Sequence, residues 1–387
     1  MRDVIHVVTP GDHFSPRTGS AIPTVIDGLA TASAAEGAPY RHVVAIDRST
    51  MRPRYSSASV VEYSGVPRPN RNERYVDLVR GVFGRPRAGV RRYYGPAADA
   101  VRRHESAIVV AHNAPVLASL LEGSDHRTVL FVHNELMRTY SRLEAARVFG
   151  RPDIIICVSS WLAERVASRL PHHVAARIRV VPNGVDTIRF APRGDRRGDG
   201  RRTSTDALQV LFVGRTIELK GPDVLLRAAA LLRRPDIEFT IIGSHGFARD
   251  APLSSYEHEL REIAQTCRSL VRFVPFVDRM ELPHLIREHD VQVVPSVRSE
   301  ASGLTAREGM ASGLAVIASR VGGLPEVVGD AGMMVDPGDP NSLAAALSAL
   351  ADDRERLQEL QRDGRCHALE HDWNWAWRRF REVLDEM

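Results

Sequence analysis

Short apolar runs recur along this sequence, and each leads through a loop into a stretch of helix formers. They occupy residues 4–8, 42–46, 59–63, 107–111, 128–132 and 154–158, and again 208–213, 239–242, 271–277, 290–294, 314–318 and 333–335. Apolar runs too short to be helices, alternating with helical stretches, specify βα units built on parallel sheets. At 387 residues the chain is long enough for two such α/β domains, each with its own core.

The composition is that of a soluble globular protein, with 43% hydrophobic and 26% charged residues and a net charge of +4. No run of about 18 apolar residues occurs, so no membrane span is expected. The N-terminus enters a strand almost at once, unlike a signal peptide, which points to a cytoplasmic protein. Cys157, Cys267 and Cys366 are odd in number and far apart, which suits buried thiols in a reducing compartment better than a disulfide frame or a zinc site. Of 52 basic residues, only Lys220 is lysine. Where arginine is written nearly everywhere else, a lone ammonium is informative, because the two cations are not interchangeable at a phosphate.

The densest chemistry lies in residues 295–313, P-S-V-R-S-E-A-S-G-L-T-A-R-E-G-M-A-S-G, between the strands at 290–294 and 314–318. Glu300 falls in the loop and Glu308 about one turn into the following helix. Between them the backbone N–H groups of Gly303, Leu304 and Thr305 head the helix, where a diphosphate is favoured. A carboxylate on each side suits a ligand with hydroxyls at both ends and phosphate in the middle, the shape of a nucleotide-sugar. A first-turn glutamate and a solvated loop charge would look the same in isolation. Further back, the strand at 208–213 ends at Gly214. Arg215 and Lys220 then flank a short loop before a helix, so that two cations can neutralise a diphosphate. Gly243 closes the next strand in a turn. Phe276 and Val277 end another, either against a base or in the core.

In the first half, a loop over residues 9–20 containing His13 and Gly19-Ser20 precedes a helix expected over 21–36. No G-x-G-x-x-G is present, which excludes a dinucleotide fingerprint. His133 ends the strand at 128–132, on the edge where doubly wound sheets bind ligands, and Glu135 follows as a residue to orient it or meet an acceptor. Residues 66–104 carry ten arginines against three acidic residues, with Tyr75, Phe83, Tyr93 and Tyr94 interleaved. This segment reads as a solvated, partly mobile surface loop, or as a face for an anionic acceptor or a lipid surface. No nucleic-acid motif accompanies it. The tail, with Trp373, Trp375 and Trp377, has an amphipathic pattern.

Residues 295–313, followed by Gly322-Gly323-Leu324-Pro325-Glu326 and preceded by G-R-x4-K-G at 214–221, resemble the donor site of the family 4 retaining glycosyltransferases. The string 180–186 with Phe190 is similar to that family's interdomain connection. The likeness is specific over about residues 180–380 and loose before them. It implies the GT-B fold: two doubly wound Rossmann-like domains facing each other across a cleft. The domains fall at 1–184 and 207–368, joined by a linker at 185–206, with a helix at 369–387 returning to the first domain. Arg215 and Lys220 would bind the donor diphosphate and Glu308 the ribose hydroxyls. Glu300 would hold the sugar, Ser302, Gly303, Leu304 and Thr305 would offer backbone groups, and His133 would line the reacting face. Gly19, Gly214, Gly243, Phe276 and Val277 complete the expected donor set. Departures from the family are Gly309 in place of alanine, Ser302 in place of an aromatic, Pro275 in place of glycine and Gly19-Ser20 in place of two glycines. The implied reaction is retaining transfer of a hexosyl group, with a UDP-sugar favoured, to a small-molecule or glycan hydroxyl. The departing phosphate would take the acceptor proton. No Asp-x-Asp occurs, so neither a metal nor another cofactor is expected. A nucleotide-sugar 2-epimerase, a GDP-mannose-dependent mannosyltransferase and a non-catalytic binding subunit are the alternatives.

Overall fold

The structure, a computed structural model, describes residues 1–193 and 207–387. It divides into two compact units, Met1–Asn183 with Trp373–Met387, and Gly184–Asp372. The larger part of the expected linker, 194–206, lies outside the described residues.

The first unit is a seven-stranded sheet of β1 (Arg2–Val7), β2 (Tyr40–Asp47), β3 (Ser59–Tyr63), β4 (Ile108–His112), β5 (Arg127–Val132), β6 (Ile154–Cys157) and β7 (Ile178–Val180). Its order is β3-β2-β1-β4-β5-β6-β7, with every pair parallel. Parallel strands covered by helices on both faces are apolar throughout, and β4 is buried along its whole length. The helix Ala21–Glu36 has the expected limits. β7 was hidden in the sequence because Val180 runs straight into the turn residues Pro182 and Asn183.

The helix Trp373–Asp385 belongs to this unit. Trp377 is 1% exposed and its indole N–H donates to the Glu36 carboxylate. Phe380 meets the rings of His6 and Phe131. Trp373 lies against the helix Ala21–Glu36 at Gly28, where a Cβ would stand 2.2 Å from the indole. The tail is therefore a wall of the core.

Residues 66–104, expected as a partly mobile loop, instead form two helices, Arg71–Val82 and Ala88–Arg102. Asn70 and Glu73 form a capping box at the first. Asp77, buried, accepts the N–H groups of Gly89 and Val90 at 3.1 and 2.9 Å and so caps the second. Arg87 reaches the buried Glu144 at 2.6 Å. Of the Pro and Gly that suggested a loop, Gly84 and Pro86 form the short turn between the helices, while Gly95 and Pro96 lie inside the second.

The second unit holds β8 (Leu208–Val213), β9 (Ile237–Ile242), β10 (Val271–Val274), β11 (Val291–Val294), β12 (Ala315–Ser319) and β13 (Met333–Val335). Their order is β10-β9-β8-β11-β12-β13, again all parallel. Val185 and Phe190, expected in the linker, are buried in this unit's core with Met310 and Leu314. Arg365 fixes that strand of chain by donating to the carbonyls of Phe190, Ala311 and Thr187.

Placing a leucine at Gly28 overfills the contact with Trp373. Gly28→Leu should lower unfolding stability by about 1–3 kcal/mol, the usual cost of overpacking. It should also shift the tryptophan emission, and an unchanged melt and spectrum would show that Trp373 does not rest there.

Candidate active site

In each unit the strand order reverses once, between β1 and β4 and between β8 and β11. Open parallel sheets bind ligands outside the carboxyl ends of the strands at that reversal, because the two adjoining loops leave in opposite directions. In the second unit those two loops are the Gly214–Gly221 and 295–303 segments singled out above. They interlock. The Val297 N–H donates to the Leu219 carbonyl at 3.1 Å. The Lys220 ammonium forms an ion pair with the Glu300 carboxylate, which also accepts from Ser296 Oγ at 3.2 Å. Glu300 is in turn held from the loop after β12. The Gly323 N–H donates to its carbonyl at 2.8 Å, and a Cβ on Gly322 would lie 2.0 Å from the same oxygen. Gly322 also has φ of +60°, so both its conformation and its surroundings require glycine.

Gly303, at φ +71°, starts the helix Leu304–Ala311. Ser302 is 8% exposed and sits behind that helix start, while Leu304 and Thr305 form its first turn. Glu308, in the next turn, is buried and ion-paired with Arg279. Its Oε2 has no hydrogen-bond partner among the described residues. Arg279 escaped the sequence reading because nothing local marks a partner 29 residues away. The departure at Gly309 also has a local cause. Gln292, fully buried on β11, donates to the Thr305 carbonyl at 2.8 Å, and a Cβ at Gly309 would stand 2.5 Å from its Oε1.

Gly214 and Gly243 meet backbone to backbone at the ends of β8 and β9. Arg215 Nε donates to the His245 carbonyl at 3.0 Å, with its guanidinium over the Phe247 ring at 5.8 Å. Phe276 pairs with Phe247, centroids 5.9 Å apart, and its N–H donates to Ser244 Oγ at 3.0 Å. Phe247 was not anticipated, since it lies in an irregular loop. Val277 faces inward with Leu282 and Ile286, so its place is the core and not a ligand surface.

In the first unit Gly19 lies exposed in the loop after β1. Ser20 beside it donates to Asp12 at 2.8 Å. His13 accepts from the Met51 N–H at 3.4 Å. His133 is anchored by its N–H to Asn113 Oδ1 at 2.8 Å, Asn113 being in the left-handed region at φ +52° after β4. The Glu135 carboxylate is ion-paired with Arg165 and makes no hydrogen bond to either ring nitrogen of His133 among the described residues. The ring of His133 instead meets another imidazole. His133 Nε2 lies 2.8 Å from His112 Nδ1, His112 Nε2 2.9 Å from His6 Nδ1, and His6 Nε2 2.9 Å from His42 Nδ1. Strand register explains this row. Val4 pairs with His42, His6 with Val110 and His112 with Phe131, so each histidine stands two residues further on across one sheet face. Burial keeps all four neutral. It holds His6 and His112 well below the ordinary value, with neighbouring imidazoles adding to the effect, and pushes His42 to about 4 and His133 to about 3.

Two paired switch-point loops, a charged pair of opposite sign and a glycine-led helix start thus come together at the carboxyl edge of the second sheet. The comparisons give the class. A model of the glycosyl transferases group 1 matches residues 207–353, and one of Glycosyltransferase Family 4 matches residues 29–189. The spore coat protein SA of Bacillus subtilis is 30% identical over 270 residues, 66% of this chain and 70% of its own length. A D-inositol 3-phosphate glycosyltransferase of Thermobispora bispora is 35% identical over 260 residues, 62% of this chain and 59% of that one. For that of Acidothermus cellulolyticus the values are 37% over 245 residues, 59% and 53%. The chain thus spans between half and three fifths of the length of these inositol-phosphate relatives. Anabaena HepE, crystallised with UDP and glucose, superposes with a TM-score of 0.73 at 16% identity over 100% of both chains. The sucrose-phosphate synthase of Thermosynechococcus elongatus gives 0.72 at 20%, over 100% of this chain and 99% of that one. The fold is the two-domain α/β GT-B fold, and the chain belongs to the family 4 glycosyltransferases.

The four neutral histidines carry a pH signature. In the unfolded chain each returns to about 6.5 and takes up a proton below it. Their contribution to stability is complete above about pH 6.5 and is lost as pH falls toward the folded values, by about 1.4 kcal/mol per pH unit for each histidine. Urea unfolding between pH 7.5 and 5 should show this decline, and His42→Gln should remove one of the four contributions to the slope. A slope that does not change in the variant would mean that His42 is protonated in the folded chain.

Proposed function

We propose that the protein is a retaining glycosyltransferase that moves a hexosyl group from a nucleotide-sugar to a hydroxyl acceptor without a metal. A UDP-sugar is favoured as donor. The observation that carries the reading is the Lys220–Glu300 ion pair, formed across the two loops at the β8/β11 reversal and beside the start of the helix Leu304–Ala311. In this reading the ammonium turns to the donor diphosphate and the carboxylate to a sugar hydroxyl, each already placed by the other. Arg215 adds the second positive charge, Glu308 takes the ribose hydroxyls through the oxygen that Arg279 leaves over, and Phe276 with Phe247 offers the base an aromatic surface. Cleavage of the sugar–oxygen bond builds negative charge on the leaving diphosphate. Fixed cations and helix amides stabilise that charge more than they stabilise the ground state. The acceptor proton leaves with the departing phosphate, so no side-chain nucleophile is needed.

The helix Arg71–Val82 supports a further part of the proposal, a peripheral cytoplasmic placement at an anionic lipid surface. Tyr75, Val82 and Phe83 are 69%, 65% and 72% exposed, and Arg71, Arg74 and Arg85 in the same segment are exposed too. Exposed apolar side chains together with exposed arginines are what an interfacial helix presents. Among the described residues no helix is long and apolar enough to cross a membrane.

A thermal-shift panel of UDP-, GDP- and ADP-sugars tests the donor. A UDP-sugar should stabilise the wild type most, and Lys220→Ala should lose most of that shift and about 10²–10³ in transfer rate. Inositol phosphate, suggested by the relatives' names, is the first acceptor to try. No stabilisation by any sugar nucleotide would sink the reading, and a change of the sugar without acceptor would make the protein an epimerase. For the lipid surface, the protein should sediment with phosphatidylglycerol vesicles and not with phosphatidylcholine. Phe83→Asp with Val82→Asp should abolish this, and equal sedimentation with both vesicles would count against it.

A further inference from the structure

The histidines of the first unit form a line and not a cluster. Three N···N contacts of 2.8–2.9 Å join four rings in series. Among the described residues, no three His, Cys, Asp or Glu converge as metal ligands would. The walls are aromatic: Trp377 stands edge-on to His42, Phe380 faces His6, and Phe131 stacks on His112 and His133. The two outer nitrogens, His42 Nε2 and His133 Nδ1, are buried and have no partner among the described residues. The His42 end lines a cavity of about 570 Å³ with Tyr40, Ser57 and Ser59. The His133 end lies at the carboxyl edge of the sheet.

A neutral imidazole has one N–H and one lone pair, so each link needs a donor on one ring and an acceptor on the next. A neutral chain of four rings can satisfy all three links in only two ways. Either every Nε2 carries the proton or every Nδ1 does. Any mixture sets two N–H groups or two lone pairs against each other inside the core, where an unmade hydrogen bond is expensive. The His133 backbone contact to Asn113 does not touch the ring and leaves this choice open.

We propose that His112, His6 and His42 are positioning residues that set the tautomer of His133, so that its Nδ1 is an acceptor in one state of the chain and a donor in the other. Passage between the states is balanced. A proton arrives at His133 Nδ1, and the Nε2 protons of His133, His112 and His6 each cross to the Nδ1 of the next ring. The Nε2 proton of His42 then leaves toward the cavity, and the reverse shift restores the first state. The chain is neutral before and after, which suits an interior that penalises an imidazolium at every one of the four positions. What meets His133, a hydroxyl of donor or acceptor, rests on the glycosyltransferase reading; the chain itself does not.

The test is made on the full chain labelled with [15N]histidine and without ligand, so its outcome is independent of activity. At neutral pH the imidazole nitrogens should show through-bond N–N couplings for His42–His6, His6–His112 and His112–His133, with all four rings in one common tautomer or exchanging together. His42→Phe deprives His6 Nε2 of its partner and should change the tautomer ratio at His133, three rings away, by about tenfold, as loss of one buried hydrogen bond implies. Phe380→Leu, which alters the wall and not the links, should leave the ratio unchanged. Missing couplings, mixed tautomers in the wild type, or a His133 ratio untouched in folded His42→Phe would each overturn the proposal. If His42→Phe does not fold, the wild-type couplings decide.

Discussion

Every hydrogen-bonded strand pair among the described residues is parallel, and that pairing is the constraint from which the site follows. Parallel ladders send all strand ends of one sense to one edge, and each connection must return over a face through a helix. The loops with polar side chains are thereby gathered without any side chain choosing its neighbours. At the β8/β11 reversal two of these loops diverge, and the chain fills the place with its only lysine, a glutamate and a helix start. A lysine and a glutamate 80 residues apart become partners because one strand order puts their loops side by side.

Close backbone contact then fixes the geometry. Glu300 is gripped through its own peptide by Gly322 and Gly323, so its main chain is placed independently of the ion pair. Such a pair in the half-buried range adds little to folding stability. Its contribution is orientation, since each charge holds the other where a ligand of mixed sign would find both. Glu308 is arranged differently: fully buried, it is ion-paired with Arg279, and removing that arginine would leave the carboxylate's charge in the core.

The alternation of short apolar runs with helices was enough to read the βα architecture and nearly every strand. The segments with Lys220, Glu300 and Glu308 were legible because their chemistry is local: a strand end, a glycine and a helix start within a few residues. What stayed hidden was set by distance. Arg279, Phe247 and Gln292 acquire meaning only from neighbours supplied by other strands. Residues 66–104 were misread because the cap of the second helix is a side chain, Asp77, on the first. Phe190 looked like part of a linker because nothing in its polar surroundings shows the core it enters.

The histidine row shows the same limit in its sharpest form. Three of the four histidines lie within strands amid Val, Ile and Ala, where each alone reads as a satisfied core residue, and the fourth directly follows β5. Only register turns them into neighbours. A slip of one residue in any of those ladders would send a histidine to the opposite face and break the row, so the hydrogen bonds also penalise misregistered sheets. An apolar core would tolerate such slips better in polar terms and would be more stable in acid. A continuous polar line through the middle of the first unit, walled by the rings of its own C-terminal helix, therefore trades acid stability for a specified register. It also gives the one histidine at the sheet edge a tautomer decided by a row of three rings, of which it touches only the first.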